Sequence, residues 1–600
     1  MRALLGAIWS FRSVFIIIFM PLLILPLPLL INTQVAQCAF VLVLMAIFWI
    51  TEALPLSVTA LLPALLFPLF GIMKSSVVAT MYFKDFHLLL LGVICLATSI
   101  EKWGLHRRIA LKLVTMVGVN PGMLMLGFMV GCAFLSMWLS NTSTVAMVMP
   151  IAEAVMQQVI SAEGQVNSQQ DKALKGICNS ALQLEGENII LFYFIDAEKQ
   201  CEKSNDEKSP AKMLKDIAIA VPEEDYSSEA LPTSPLHSNY RTHRDQMMCK
   251  CLSLAIAYSA NIGGLATLPG TSSNLIFAEY MHQFYPKCKV INFGNWFIFC
   301  LPVCIIVLSL AWIWLHWLFL GSNFCSVLSP KRGRSEREIA AAKHIKDQYN
   351  ALGSMSRQEM ITLVIFVLMA VLWFMREPGF MPGWASLFPD YPGYATDATA
   401  ALLLGMLFFI IPSKRPTADN YETMISWKEF QTCMPWEICL LVGGGFALAE
   451  GTKVSGLSTF VAELMKPLGN LPVMAIVTIG CVIVTSITEV ASNPATITIF
   501  LPILAPLAEA INVNPLYMLI PATISVSFSF LLPVSNPPNA IVFAYGHVKI
   551  MDMVKAGLGL NIIGVLTVLL AISTWGRPIF LLDTYPDWAP IYGTTNTTGF

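Results

Sequence analysis

Long apolar stretches separated by short polar ones run the length of the chain. They occupy 13–31, 36–50, 54–72, 86–100, 122–139, 294–320, 360–375, 397–412, 471–488 and 556–574. A helix needs about 20 apolar residues to cross a bilayer, and several stretches approach that length. Broken and adjacent stretches merge, so the pattern predicts roughly ten to thirteen spans. A membrane β-strand would show strict alternation over about 10 residues, which is absent. Stretch 13–31 lacks a small-residue cleavage site and is longer than the apolar centre of a signal peptide. It reads as the first transmembrane helix.

Composition strengthens this. Of 600 residues, 56% are hydrophobic and 12% charged, about half the charged share of a soluble domain. A net charge of −2 excludes a nucleic-acid role. The 14 cysteines show no metal-ligand spacing, and Cys249-x-Cys251 reads as small apolar residues beside a helix.

Charge then orients the chain. Arg2 and Arg12 precede the first span, and no other basic residue appears before Lys74. The excess of Lys and Arg on cytoplasmic loops puts the N-terminus inside. Lys102, Arg107, Arg108 and Lys112 belong on that side, as do Lys331, Arg332, Arg334, Arg337, Lys414 and Arg415. Asn596-Thr597-Thr598 is a glycosylation sequon beyond the last apolar stretch. Its use requires an extracellular C-terminus and an odd number of spans. The other sequon, at Asn141, falls within an apolar stretch and reads as accidental.

Two phrases recur. LSNTSTVAMVMP at 139–150 resembles ASNPATITIFLP at 491–502, placing Ser140 and Ser492 352 positions apart. The same offset pairs Gly92 with Gly444 and Gly104-Leu105 with Gly456-Leu457. Downstream, ATLPGTSSNLIF at 266–277 resembles LLPVSNPPNAIV at 531–542, with Asn274 and Asn539 265 positions apart. The offsets, 352 and 265, differ by 87, close to the length of the polar stretch 160–248. One duplicated unit with an insertion in its first copy explains both. The expected organisation is a first repeat with its first re-entrant hairpin at 1–159, a polar cytoplasmic loop at 160–248, and a discontinuous helix ending that repeat at 249–320. A basic cytoplasmic linker at 321–358, a second repeat with a second re-entrant hairpin at 359–582 and an extracellular tail at 583–600 follow.

Ser, Asn and Pro at the repeated phrases disfavour continuous helix and favour helix starts. Irregular backbone survives in a bilayer only where protein buries it or a wet cavity meets it. Interrupted apolar segments at corresponding places in two repeats mark the binding site of a secondary transporter. Half-helix N-termini attract anions, whereas carbonyl, Ser, Thr and Asn oxygens suit a hard cation. No Lys or Arg lies in the phrases, so bound cations and helix termini must supply the positive potential for an anion. Glu52 and Glu489 are costly in or near apolar surroundings unless paired, which leaves a structural role and a cation-linked role equally open. His87 reads as interfacial, and Gly443-Gly444-Gly445 as close helix packing. No nucleophile–base pair or metal cluster supports an enzyme.

SNT at 140–142, SNP at 492–494, SANIGG at 259–264, NPPNAIVFAYGH at 536–547 and WASLFPDYP at 384–392 occur in order. With them the chain resembles the sodium-coupled sulfate and carboxylate cotransporters, the solute-carrier 13 family, nearest to its sulfate branch. The resemblance implies an all-α polytopic membrane protein with inverted repeats, about eleven spans and two re-entrant hairpins, working as an elevator. It also implies a homodimer among membrane lipid, in the plasma membrane and on the apical face of epithelia. No resident cofactor is expected, since sodium is cargo. The implied sodium positions are Ser136, Ser140, Asn141 and Ser272 for one ion, and Thr488, Ala491, Asn493 and Ser535 for the other. The implied substrate contacts are Asn141, Thr142, Ser492, Asn493, Pro494, Asn536 and Pro537. Carboxylate-carrying members have Thr at Pro494 and Ala-Thr at Ser535-Asn536. These departures favour a sodium–sulfate symporter over a sodium-coupled di- or tricarboxylate symporter. An anion channel is a further alternative.

Overall fold

The computed structural model describes residues 12–117, 121–157, 243–321, 343, 346–376, 382–391, 394–415, 421–465, 471–533 and 535–590. The basic cluster at 331–337, the sequon at Asn596 and the polar stretch up to residue 242 lie outside them. Among the described residues the secondary structure is helical, with one isolated β-bridge between Pro412 and Thr423.

The principal helices, numbered here in chain order, are α1 (Ser13–Ile31), α2 (Gln34–Thr51), α3 (Leu56–Leu69), α4 (Asp85–Lys102), α5 (Leu105–Val117), α6 (Pro121–Ser136), α7 (141–157), α8 (His243–Gly264), α9 (Ser272–Phe284) and α10 (Phe293–Leu315). The second half adds α11 (Arg357–Phe374), α12 (Asp397–Ile410), α13 (Trp427–Cys433), α14 (Trp436–Val454), α15 (Leu457–Met465), α16 (Val473–Thr488), α17 (Asn493–Ala510), α18 (Leu516–Ser525), α19 (Pro537–Ala544) and α20 (Ile550–Ser573). By length and apolarity six described helices can cross a membrane, or eight when the bent pairs α4–α5 and α13–α14 each count as one. Others, including α3, α6, α12, α16 and α18, are apolar but shorter.

Local chemistry sets the helix ends. Thr33 accepts from Ala36 N–H to open α2, and Asn292 accepts from Asn295 N–H at 2.8 Å to open α10. Ser356 with Glu359, and Ser426 with Glu429, form reciprocal capping boxes at the starts of α11 and α13. The sequence-paired glycines Gly104 and Gly456 both adopt positive φ, +71° and +78°, where each turns the chain into α5 or α15. Polar residues expected in the 160–248 loop already lie in helix from His243. Asp245 in that stretch is buried, so its last residues pack rather than loop, and just beyond it Lys250 is buried in an ion pair with Asp552 at the start of α20, 2.8 Å away.

The repeat orders the packing. The segment α4 to α9 corresponds to α14 to α19. Gly92 on α4 lies so close to α12 that a Cβ would come within 2.3 Å of the Ala401 backbone. Its counterpart Gly444 on α14 meets α3 the same way, 2.3 Å from the Ala60 carbonyl oxygen. Only glycine allows either approach. Each copy thus packs against a helix that precedes the other copy. His87 bonds across the same pair of copies: it accepts from Lys84 N–H through Nδ1, and its Nε2 lies 3.1 Å from the carbonyl oxygen of Cys439, the position equivalent to its own. It is buried rather than interfacial. Burial separates centre from rim: the α17 window is 67% buried and that of α1 only 6%.

Candidate functional site

Each repeated phrase is the tip of a helical hairpin. In the first, α6 ends at Ser136 and α7 starts after Ser140. Ser140 Oγ accepts from Ser143 N–H at 3.1 Å, an N-cap. Ser136 Oγ donates to Asn141 Oδ1 at 2.5 Å. In the second, α16 ends at Thr488 and α17 starts at Asn493, and Thr488 Oγ1 donates to Asn493 Oδ1 at 2.8 Å. In both, a hydroxyl five residues ahead fixes the carboxamide oxygen of the tip asparagine.

Beside each tip a helix is broken. The gap between α8 and α9 is held by Asn274, whose Nδ2 lies 3.3, 3.4 and 2.9 Å from the carbonyl oxygens of Gly264, Leu265 and Thr267. Its counterpart Asn539 reaches the carbonyls of Ser529 and Leu532 across the gap between α18 and α19, at 2.8 and 3.2 Å. These side chains satisfy carbonyls that the interrupted helices leave open. Thr267 Oγ1 donates to Met137 O, tying the first break to the first hairpin. Thr488 Oγ1, 2.9 Å from Val526 O, ties the second break to the second hairpin.

Glu489 and Glu52 part company. Glu489 is buried and accepts from Phe530 N–H, Leu531 N–H and Asn561 Nδ2 at 3.0, 3.0 and 2.6 Å. It holds unwound backbone that otherwise has no partner. Glu52 is exposed just past the end of α2. The glycine run packs closely: a Cβ at Gly443, Gly444 or Gly445 would run into Tyr82, Ala60 or Thr498.

The halves meet at Asn261 on α8, fully enclosed in the core. Its Oδ1 accepts from Asn141 Nδ2 at 3.3 Å and from Asn536 Nδ2 at 3.0 Å. One carboxamide therefore joins the first hairpin tip to the second helix break. Its own Nδ2 is buried and unpartnered. Gly264, one turn on, is needed for the approach of the first tip, because a Cβ there would sit 2.6 Å from Asn141 Oδ1.

The tips and breaks surround one cavity of about 300 Å³. All seven residues expected at the substrate line it: Asn141, Thr142, Ser492, Asn493, Pro494, Asn536 and Pro537. Ser140, Ser272 and Ser535 from the expected cation set line it too. Ser136, Thr488 and Ala491 do not; they are buried behind the tips. The helix starts after Ser140, Thr271, Ser492 and Asn536 all belong to this wall. The lining contains no Lys, Arg or His. Among the described residues no group of three or more His, Cys, Asp or Glu stands ready for a metal. Apart from the carboxylate of Glu437, the wall offers a cation only neutral oxygens, and it offers an anion only N–H and O–H donors.

The two tips differ at the cap. Ser492 does not bond the first turn of α17, and its Oγ is buried without a partner. Pro494 is the second helical residue, not the first. Its missing N–H would also have lacked an intrahelical acceptor there. Asn261, Asn274 and Asn539 are site residues that sequence reasoning did not single out as functional, although all three lie in quoted motifs.

The profile described as "Sodium:sulfate symporter transmembrane region" matches residues 7–582. Human solute carrier family 13 member 1 is 54% identical over 97% of both chains. Human solute carrier family 13 member 4 is 48% identical over 99% of both. Human Na(+)/dicarboxylate cotransporter 3 is 41% identical, covering 98% of this chain and 96% of its own. With one profile spanning both hairpins, both helix breaks and the cavity between them, the chain belongs to the sodium:sulfate symporter family.

Proposed function

We propose that this protein imports sulfate across the plasma membrane by sodium-coupled symport. The carrying observation is a single cavity walled by two equivalent hairpin tips and two helix breaks, with no basic side chain on it. Sulfate is doubly charged, and burying it without positive charge is prohibitive. Two sodium ions at the tips provide that charge. One is held by Ser136, Ser140, Asn141 and the backbone near Ser272, the other by Thr488, Ala491, Asn493 and the backbone near Ser535. Ser136 and Thr488 pre-orient the asparagine oxygens toward those ions. The anion rests on Thr142, Ser492, Asn536 and the helix starts, whose dipoles favour negative charge. Neither ligand binds well alone, which is the physical basis of coupling.

The N-terminus is cytoplasmic and the C-terminus extracellular and glycosylated at Asn596. The repeats are inverted, so the hairpins enter from opposite sides. The cavity rim at Pro435 and Glu437 lies where α14 begins, and His87 in the first turn of α4 is hydrogen-bonded to Cys439 just beyond it. The hairpins move as a unit past the remaining helices, in a homodimer. Elevator motion and dimerisation rest on the family resemblance.

The test is radiolabelled sulfate uptake with sodium replaced by choline. Uptake should vanish without sodium and resist excess succinate. Succinate competing as strongly as sulfate would favour the carboxylate reading. Sodium charge in excess of sulfate charge makes entry electrogenic, so hyperpolarisation should drive it by about 2.3 kcal/mol per 100 mV for each net charge.

A further inference from the structure

The motif that opens on the cavity wall at Asn536 closes at His547, away from the cavity. α19 stops at Gly546, whose φ of +77° turns the chain, and the next residue is His547. His547 is buried, and its Nε2 lies 2.6 Å from Glu153 Oε2 on α7, 394 positions earlier. Gln157, one turn on, donates to the other carboxylate oxygen at 2.9 Å. A carboxylate accepts, so Nε2 is the nitrogen that carries the proton.

α7 and α19 are therefore linked twice. At the cavity, Asn141 at the start of α7 and Asn536 at the head of α19 share Asn261 Oδ1, at 3.3 and 3.0 Å. Glu153 follows Asn141 by 12 positions, about 18 Å of helix, and there His547 closes the far end. The other pair of helices is built alike. α17 starts at Asn493 and α9 at Ser272, both on the cavity, and Tyr285, just past α9, donates to Glu509 near the end of α17 at 2.5 Å. In each pair a glutamate on the hairpin helix of one copy accepts from the segment that follows the broken helix of the other. The near link is not repeated: at the offset of 265, Asn261 corresponds to Val526, which has no polar side chain.

We propose that Glu153 and His547 are a positioning pair that sets the gap between the helix starts at Asn141–Thr142 and at Asn536–Pro537, and with it the size of oxyanion the cavity takes. This rests on the sodium–sulfate reading above. Two rods tied at one end pivot; tied at both, they hold their spacing. The far link thus acts on a ligand it never touches, by locking the groups that do. A seat of fixed width rejects what is too large for it. The Lys250–Asp552 ion pair separately holds the start of α20 to α8, so losing the far link loosens the frame without releasing the chain.

The measurement is radiolabelled sulfate uptake by the full-length protein in cells, at saturating sodium and scaled to surface expression. Molybdate, a larger tetrahedral dianion, is the competitor. Glu153→Ala and His547→Ala should each raise the half-saturating sulfate concentration roughly three- to tenfold, and leave the maximal rate within about twofold. Both should also lower the molybdate needed, relative to sulfate, to halve uptake. The double variant should match the single ones, since each removes the same bond. His547→Gln keeps a donor and should stay near wild type. Unchanged sulfate affinity and molybdate discrimination in the alanine variants overturn the proposal. Shifts that multiply in the double variant also overturn it, because the two residues then act separately. If the alanine variants do not reach the surface, His547→Phe decides, since it fills the ring's volume without a donor: normal sulfate affinity with it overturns the proposal, and the same rise supports it. A wild type without sodium-driven sulfate uptake refutes the transport reading instead, before any variant is compared.

Discussion

The first and second hairpin tips share a frame and differ in the half that faces the cavity. In both, a hydroxyl five residues upstream grips the asparagine oxygen: Ser136 on Asn141 at 2.5 Å and Thr488 on Asn493 at 2.8 Å. Beyond that point they diverge. Ser140 spends its oxygen capping α7, whereas Ser492 keeps a buried hydroxyl unused, and Thr142 is answered by Pro494. The shared part supplies oxygen, which a cation needs. The divergent part supplies or withholds donors, which an anion needs. On the sodium–sulfate reading, duplication has kept two cation cradles while allowing the anion face to become asymmetric.

The hardest way to break the comparison is at the shared asparagines. Asn141→Ala or Asn493→Ala should weaken sodium activation by about 1–3 kcal/mol, roughly five- to hundredfold. Sodium titration of sulfate uptake at equal surface expression measures it, and an unchanged titration removes both residues from the cation sites. Next comes the link between halves. Asn261→Ala removes the acceptor of Asn141 Nδ2 and leaves Asn536 Nδ2 with Ser529 Oγ at 3.4 Å, at about 1–3 kcal/mol, chiefly at Asn141. Its signature should be a lower Hill coefficient for sodium together with weaker sulfate affinity. A fall in expression alone would make Asn261 merely structural.

A smaller effect sharpens the comparison. Pro494→Thr restores the hydroxyl and should reduce sulfate selectivity a few-fold, within the 1–3 kcal/mol a buried hydrogen-bonding group commands. Adding Ser535→Ala and Asn536→Thr should extend the shift, read as succinate inhibition of sulfate uptake. If every variant stays blind to succinate, selectivity is set away from the second tip. The smallest effect on transport is expected in the tail: Asn596→Gln should abolish a glycosidase-sensitive mass shift and leave uptake unchanged. A persisting shift would reverse the assigned orientation or point to another acceptor.

Much of this was legible because polar residues in apolar stretches stand out. Ser140-Asn141 and Ser492-Asn493 announce helix breaks locally, and the constant offset of 352 reveals the duplication. The convergence of the two phrases on one cavity follows from the repeat. What stayed hidden depends on distant partners. Asn261 bonds residues 120 and 275 positions away, so nothing in its neighbourhood distinguishes it from a buried polar residue of no consequence. Glu489 looked equivalent to Glu52, since each follows a threonine. Only the unwound backbone at Phe530 and Leu531, 41 and 42 positions on, separates them. The placement of Pro494 one residue further into its helix was below the resolution of boundary reasoning.

The glycine crossings have a consequence for biogenesis. Gly92 waits for Ala401, and Ala60 for Gly444, each contact spanning more than half the chain. A nascent chain leaving the ribosome therefore holds α4 in the bilayer with its glycine face uncovered until α12 has been made. Such non-local contacts slow folding, and surfaces left open in the meantime invite misassembly. Neither half expressed alone can close its own crossing, so co-expressed halves should mature only when each finds the other.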